Sequence, residues 1–150
     1  MAVLEQTEIS QFSPQQIFDL VADVESYPEF LPWCGAARIK EKVSEKEFLA
    51  ELVIVFKALR ERYTSRVTLT PPESEHAACH VSAVMIEGPF HHLTNEWQLS
   101  PTEDGGTRID LTLEFQFKNA LLQKLIGGLF ERASEKMISA FRTRARELYG

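Results

Sequence analysis

The chain has 150 residues, 44% hydrophobic and 25% charged, the composition of an ordinary globular protein. One domain of that length buries about 68–70% of its unfolded surface, enough for a full core with space for a cavity. Sixteen Lys and Arg against 22 Asp and Glu leave a net charge of −6, which argues against DNA as a partner, because phosphate binding needs a basic footprint.

Two cysteines, Cys34 and Cys79, stand far apart without CxxC pairing and read as reduced, buried thiols. His and Cys show no metal-ligand spacing, so no metal site is expected. No run reaches the ~20 apolar residues of a membrane-spanning helix. The start, Met1 to Gln6, has neither the basic residues nor the apolar stretch of a secretory signal. The expected setting is the cytoplasm.

Taken in chain order, residues 3–12 alternate as a strand. Ser13-Pro14-Gln15-Gln16 then starts a helix, with Ser13 as cap, Pro14 at the first helical position and Gln16 closing a capping box. Ile17, Leu20, Val21 and Val24 give that helix one apolar face over about three turns. The prolines of Tyr27-Pro28-Glu29-Phe30-Leu31-Pro32-Trp33 end it, with a second short helical turn expected there.

From residue 37 to 117 the period changes to two. Phe48, Ala50, Leu52, Ile54 and Phe56 share a face, as do Tyr63, Ser65, Val67 and Leu69. His80, Ser82, Val84 and Ile86 are phased together next, which turns Ser82 inward alongside Ser65. Leu93, Asn95, Trp97 and Leu99 follow, then Ile109, Leu111, Leu113, Phe115 and Phe117. Glu51, Arg60, Glu61, Arg62 and Arg66 are expected as solvated cross-strand ion pairs. Turn residues separate these segments, as at Asp104-Gly105-Gly106, so the strands form an antiparallel meander.

Residues 120–149 read as one helix of about eight turns, roughly 45 Å long. The expected fold is therefore α+β: a curved antiparallel sheet of about six to seven strands around a long C-terminal helix, with two short helices after the first strand. A sheet with one covered face and such a helix leave a space between them where a ligand cavity forms.

The last helix is not uniform. Leu122, Ile126, Phe130, Ala133, Met137, Phe141 and Ala145 make one stripe along its whole length. In its first half Leu121, Leu125 and Leu129 add a second apolar sector. The readings open for that sector are packing under a loop, flanking a cavity mouth, touching a membrane surface, or a subunit contact. Gly127-Gly128 costs about 2 kcal/mol relative to alanines, which a close approach, a hinge or a gate would offset.

Catalytic motifs are missing: there is no GxSxG, HExxH, Walker loop or GxGxxG. His91-His92 lies beside a turn and reads as solvated or satisfied within the core rather than as a base. No catalytic residue is assigned.

Tyr27-Pro28-Glu29-Phe30-Leu31-Pro32-Trp33-Cys34, then Gly88-Pro89-Phe90 leading to Leu93, Asn95 and Trp97, then Phe115-Gln116-Phe117-Lys118-Asn119 and the closing Leu148-Tyr149-Gly150, resemble the coenzyme Q-binding members of the START-like (polyketide cyclase/dehydrase, helix-grip) superfamily. The same bacterial family carries the name ribosome-association toxin. The match runs through the chain, and the first octet is its most specific part.

The resemblance implies a helix-grip fold that binds ubiquinone in support of respiratory electron transport, without catalysis or another cofactor. Tyr27, Phe30, Leu31, Pro32 and Trp33 would stand near the cavity entrance, and Phe90, Trp97, Phe115 and Phe117 on its walls. Phe56, Ser65, Leu122, Ile126 and Phe130 join them by strand and helix phase. Leu121, Leu125, Gly127, Gly128 and Leu129 are the expected gate or membrane contact, at the inner face of the bacterial plasma membrane. Two alternatives stand beside the carrier. One is a protein that docks on the large ribosomal subunit and blocks subunit joining, through Arg60, Arg62 and Arg66 or through Arg142, Arg144 and Arg146. The other is an enzyme acting on an aromatic or polyketide substrate.

Overall fold

A computed structural model describes residues 2–56 and 59–150. The elements are β1 (Ala2–Ser10), α1 (Pro14–Ala22), a 3₁₀ helix (Val24–Glu29), β2 (Cys34–Ser44), β3 (Glu47–Phe56), β4 (Leu59–Thr70), β5 (Cys79–Glu87), β6 (Phe90–Pro101), β7 (Thr107–Phe117), α2 (Ala120–Glu135) and α3 (Met137–Tyr149). The seven strands form one antiparallel sheet in the order β1-β7-β6-β5-β4-β3-β2. This is the α+β, helix-grip arrangement that the sequence predicts.

The α1 start follows its sequence signals. The Ser13 hydroxyl accepts from the Gln16 N–H at 3.3 Å, and the Gln16 side chain accepts from the Ser13 N–H at 3.0 Å. Ile17, Phe18, Leu20 and Val21 face the core. The second short turn is the 3₁₀ helix, with Pro28 inside it. These two helices carry the chain from β1 at one sheet edge to β2 at the other. Edge strand β2 is mostly exposed and bears Arg38, Lys40, Glu41 and Lys42, charges that discourage pairing with another sheet.

The inner face follows the two-residue period. In β7 every second residue from Thr107 to Phe117 is buried, and in β3 Phe48, Ala50, Leu52 and Ile54 are buried. Register shifts interrupt β2–β3, β4–β5 at Thr64/Ser65, and β6–β7 at Phe90/His92. Bulges of this kind bend a strand and sharpen its twist, which helps the sheet curl over the helices. On the outer face Arg38 meets Glu51 at 3.0 Å and Arg66 meets Glu47 at 2.8 Å, with Arg62 at 4.0 Å from Glu51. Of the residues expected to pair across strands, Glu51, Arg62 and Arg66 do so, with Arg38 and Glu47 as further partners.

Two expectations are corrected. The phase of β5 is opposite to the predicted one: Cys79 and Val81 are buried, whereas Val84 and Ile86 are exposed. Ser82 therefore faces outward, where its hydroxyl donates to Glu96 at 2.8 Å. Its neighbours decide this, since Val81 pairs with Leu69 on one side and with Trp97 on the other.

The C-terminal helix is also interrupted, at Lys136 rather than at the glycines. The Ser134 hydroxyl donates to the Phe130 carbonyl at 2.9 Å, a back-bond that bends helices. The Lys136 N–H then turns to the Ala133 carbonyl at 3.2 Å, a spacing of three rather than four. Gly127 and Gly128 lie inside continuous α2.

Candidate functional site

An apolar cavity of about 70 Å³ lies between the sheet and the helices. Strands β3 to β7 supply Leu52, Tyr63, Ser65, Val67, Val81, Ala83, Leu93, Asn95, Trp97 and Leu113 to its wall. Val24 and Tyr27 of the 3₁₀ helix, Leu31 and Trp33 of the following segment, and Phe130, Ser134, Met137 and Phe141 of the helices close it. Tyr63 and Ser65 reach it as alternate residues of β4, which runs in regular register with β3 through Leu52–Tyr63 and Ala50–Ser65.

Beside it, between the Leu31–Trp33 segment and the helix break, lies an open groove of about 530 Å³. Leu31, Pro32, Trp33 and Phe56 form one bank. Leu129, Arg132, Ala133, Lys136, Met137, Ser139, Ala140 and Thr143 form the other. The cavity alone is far below the roughly 300–1,000 Å³ of a small-molecule pocket, whereas the groove falls within that range. A ligand larger than a few atoms fits the interior only if the two spaces join.

The predicted site residues divide by place. Tyr27, Leu31, Trp33, Ser65, Trp97 and Phe130 line the cavity, and Leu31, Pro32, Trp33 and Phe56 line the groove. Phe90, Phe115 and Phe117 do not face either space. They are fully buried against one another, with Phe90 and Phe117 stacked at 4.6 Å, and Phe115 meets Phe130 edge-on at 5.0 Å.

Phe30 packs edge-on against Phe141 at 5.0 Å and under the Arg144 guanidinium at 5.4 Å, outside the cavity wall. Leu122 is half-buried against the core. The side chain of Ile126 lies outside the described residues. Sequence reasoning missed Tyr63 and Asn95 as wall residues, although each sits on an inward phase it had read. It also missed the groove's Arg132 and Lys136, which continue the exposed leucine sector along the helix.

Leu121 and Leu125 are 63% and 64% exposed, and Leu129 is 39% exposed, so no loop among the described residues covers that sector. The glycines beside it differ. A Cβ at Gly127 would come within 2.5 Å of the Gln123 amide, whereas one at Gly128 meets nothing within 4 Å. Gln123 is held because its Oε1 accepts from the Phe117 N–H at 2.9 Å.

Electrostatically the cavity is quiet. Burial pushes the Tyr27 and Tyr63 phenols well above the ordinary range, so both stay neutral. The Tyr27 hydroxyl donates to the Val21 carbonyl. Burial also pushes the Cys34 and Cys79 thiols up to about 11, and both cysteines are free and buried.

Among the described residues no group of three His, Cys, Asp or Glu is placed to hold a metal ion, and no helix is long and apolar enough to cross a membrane. Of the arginines proposed as a basic contact, Arg142 pairs with Glu8 at 2.6 Å and Arg144 with Glu29 at 3.4 Å. The Trp33 indole N–H is buried without a hydrogen-bond partner among the described residues, an arrangement that costs about 1–3 kcal/mol.

A curved antiparallel sheet that grips a bent C-terminal helix pair over an apolar cavity defines a START-type helix-grip protein. The chain matches the family described as "Polyketide cyclase / dehydrase and lipid transport" over residues 10–142, and it belongs to that family. It is 42% identical to the ribosome association toxin RatA of Rickettsia prowazekii over 99% of both chains. It is 31% identical to the mitochondrial coenzyme Q-binding protein COQ10 homolog B of Xenopus laevis, over 97% of this chain and 58% of that protein. Among solved structures, the Zhui aromatase/cyclase of Streptomyces sp. R1128 superposes with a TM-score of 0.80 at 19% identity, covering 97% of this chain and 93% of that one.

Proposed function

We propose that the protein binds and carries an apolar small molecule, and that ubiquinone is that ligand, without catalysing its conversion. The observation that carries the reading is the pairing of a small apolar cavity with a groove of ligand size, sharing the wall residues Leu31, Trp33 and Met137. A flat ring with an isoprenoid tail matches an interior walled by aromatic and aliphatic side chains with few polar groups. The likeness to a coenzyme Q-binding protein supports the choice of ligand. The cavity wall offers hydroxyls, an amide and neutral phenols but no carboxylate or imidazole, which favours carriage over acid–base chemistry.

Loading would occur at the inner face of the plasma membrane. There Leu121, Leu125 and Leu129 enter the lipid surface, and Arg132 and Lys136 at the groove rim meet anionic head groups.

A second reading, docking on the large ribosomal subunit, is favoured by the full-length likeness to a ribosome association toxin. The net charge of −6 and the internal pairing of Arg142 and Arg144 weigh against it. One preparation separates the two. Protein purified from a quinone-producing host is extracted with organic solvent, titrated with decylubiquinone and a lipid panel, and followed on ribosome gradients after overexpression. Bound quinone and saturable binding are expected, with unchanged subunit and 70S peaks. An empty extract with no binding to any member of the panel rejects the carrier, and a loss of 70S particles establishes the ribosomal reading.

A further inference from the structure

The cavity and the groove have three wall residues in common, Leu31, Trp33 and Met137, which form the partition between them. Of these side chains only Trp33 carries an N–H donor. The side chain is 7% exposed, and its Nε1–H has no partner among the described residues. The backbone beneath it is fixed, because the Trp33 carbonyl accepts from the Val55 N–H at 2.8 Å and the Cys34 N–H donates to the Leu31 carbonyl at 3.1 Å. The ring packs against Phe130 with centroids 6.4 Å apart, a contact that a phenyl ring would also make. Packing therefore does not explain a nitrogen at this place. Buried donors are nearly always satisfied, and an orphan calls for a reason.

We propose that the Trp33 Nε1–H is the donor that holds the carbonyl oxygen of a quinone-type ring when a ligand crosses this partition and joins groove to cavity. This rests on the carrier reading and assigns its polar contact. The ligand-free protein keeps the donor unsatisfied, so a ligand with an oxygen at that point removes a penalty that a hydrocarbon of the same shape leaves in place. Discrimination by a stranded donor is stronger than discrimination by fit alone. The second oxygen of such a ring would meet the wall that carries Tyr63, Ser65 and Asn95.

The test uses the full chain and two probes, decylubiquinone and decylbenzene, which share an alkyl tail but differ in ring oxygens. Trp33→Phe keeps a ring and removes the N–H. Equilibrium dialysis is expected to show about tenfold weaker binding of decylubiquinone by the variant, and decylbenzene within about twofold of the parent. In the ¹⁵N-labelled parent, which has two tryptophans, the indole resonance assigned to Trp33 by its contact with Phe130 should move downfield with decylubiquinone and not with decylbenzene.

Equal losses for both probes would reduce Trp33 to a shape-filling role and overturn the inference. So would unchanged quinone affinity with an unmoved indole resonance, and in that case the carrier reading stands. If the parent binds no decylubiquinone, the carrier reading fails and this inference with it. Should W33F not fold, the parent's indole resonance decides alone.

Discussion

Phe130 is the point where the helices meet the aromatic residues of the sheet. Its ring lies 5.0 Å from Phe115, 5.8 Å from Phe117, 6.1 Å from Phe56 and 6.4 Å from Trp33, and the same side chain closes the cavity. Most of these contacts are edge-on, the favoured aromatic geometry. Replacing it by alanine removes that cluster's central member, so F130A should lose about 3–5 kcal/mol. Urea denaturation would show a lower midpoint at an unchanged slope; a loss under about 1 kcal/mol would mean that the cavity wall collapses freely around the gap. Strand alternation turns Phe115 and Phe117 inward, helix phase does so for Phe130, and the family resemblance adds Phe90. Alternation does not say whether an inward ring faces a void or another ring, because period two encodes a side of the sheet and not the depth behind it. That is why three expected cavity walls are core and why Tyr63 and Asn95 went unnoticed.

Among the elements, α2 carries the sharpest contrast between pattern and structure. Both of its glycines look equally costly in sequence, but only one is held by its surroundings. Gly128→Ala places a methyl in open space and gains helix propensity, so it should stabilise the protein by about 1 kcal/mol. Gly127→Ala must push aside Gln123 and its bond to the Phe117 N–H, which offsets the same gain. Paired denaturation curves should separate the two variants by about 1 kcal/mol, and equal stabilities would refute the structural distinction. The break at Lys136 was not legible in advance, since Ala-Ser-Glu-Lys-Met contains neither glycine nor proline and the cause is one serine hydroxyl turned onto its own helix. The inverted phase of β5 has a similar origin. Val84 and Ile86 are as apolar as Val81 and Met85, so two phases of equal strength compete, and register against β4 and β6 chooses between them. Where one phase dominates, as in β7, or where caps and box coincide, as in α1, the sequence reading matches the element.

For the molecule as a whole, the curled sheet and its helices bury four weak acids in one core. Cys34, Cys79, Tyr27 and Tyr63 are each disfavoured as anions chiefly by burial. The two thiols titrate near 11 when folded, against about 8.5 when free. A folded value raised above the unfolded one means that the unfolded chain loses its protons first as pH climbs. The stabilising contribution is therefore whole below the free thiol value and is lost as pH rises through about 11. Urea midpoints measured from pH 8 upward should fall across that window, and the fall should be shallower in a C34A/C79A double variant that has no thiol left to ionise. The tyrosines extend the decline to higher pH in both proteins. At neutral pH the same burial keeps the thiols protonated and covered, so iodoacetamide should label them slowly in the folded protein and quickly in urea. Rapid labelling without denaturant, or a midpoint indifferent to pH between 9 and 11, would show that the core opens often enough for solvent to reach both cysteines. It would then no longer be the water-poor apolar interior from which the ligand argument starts.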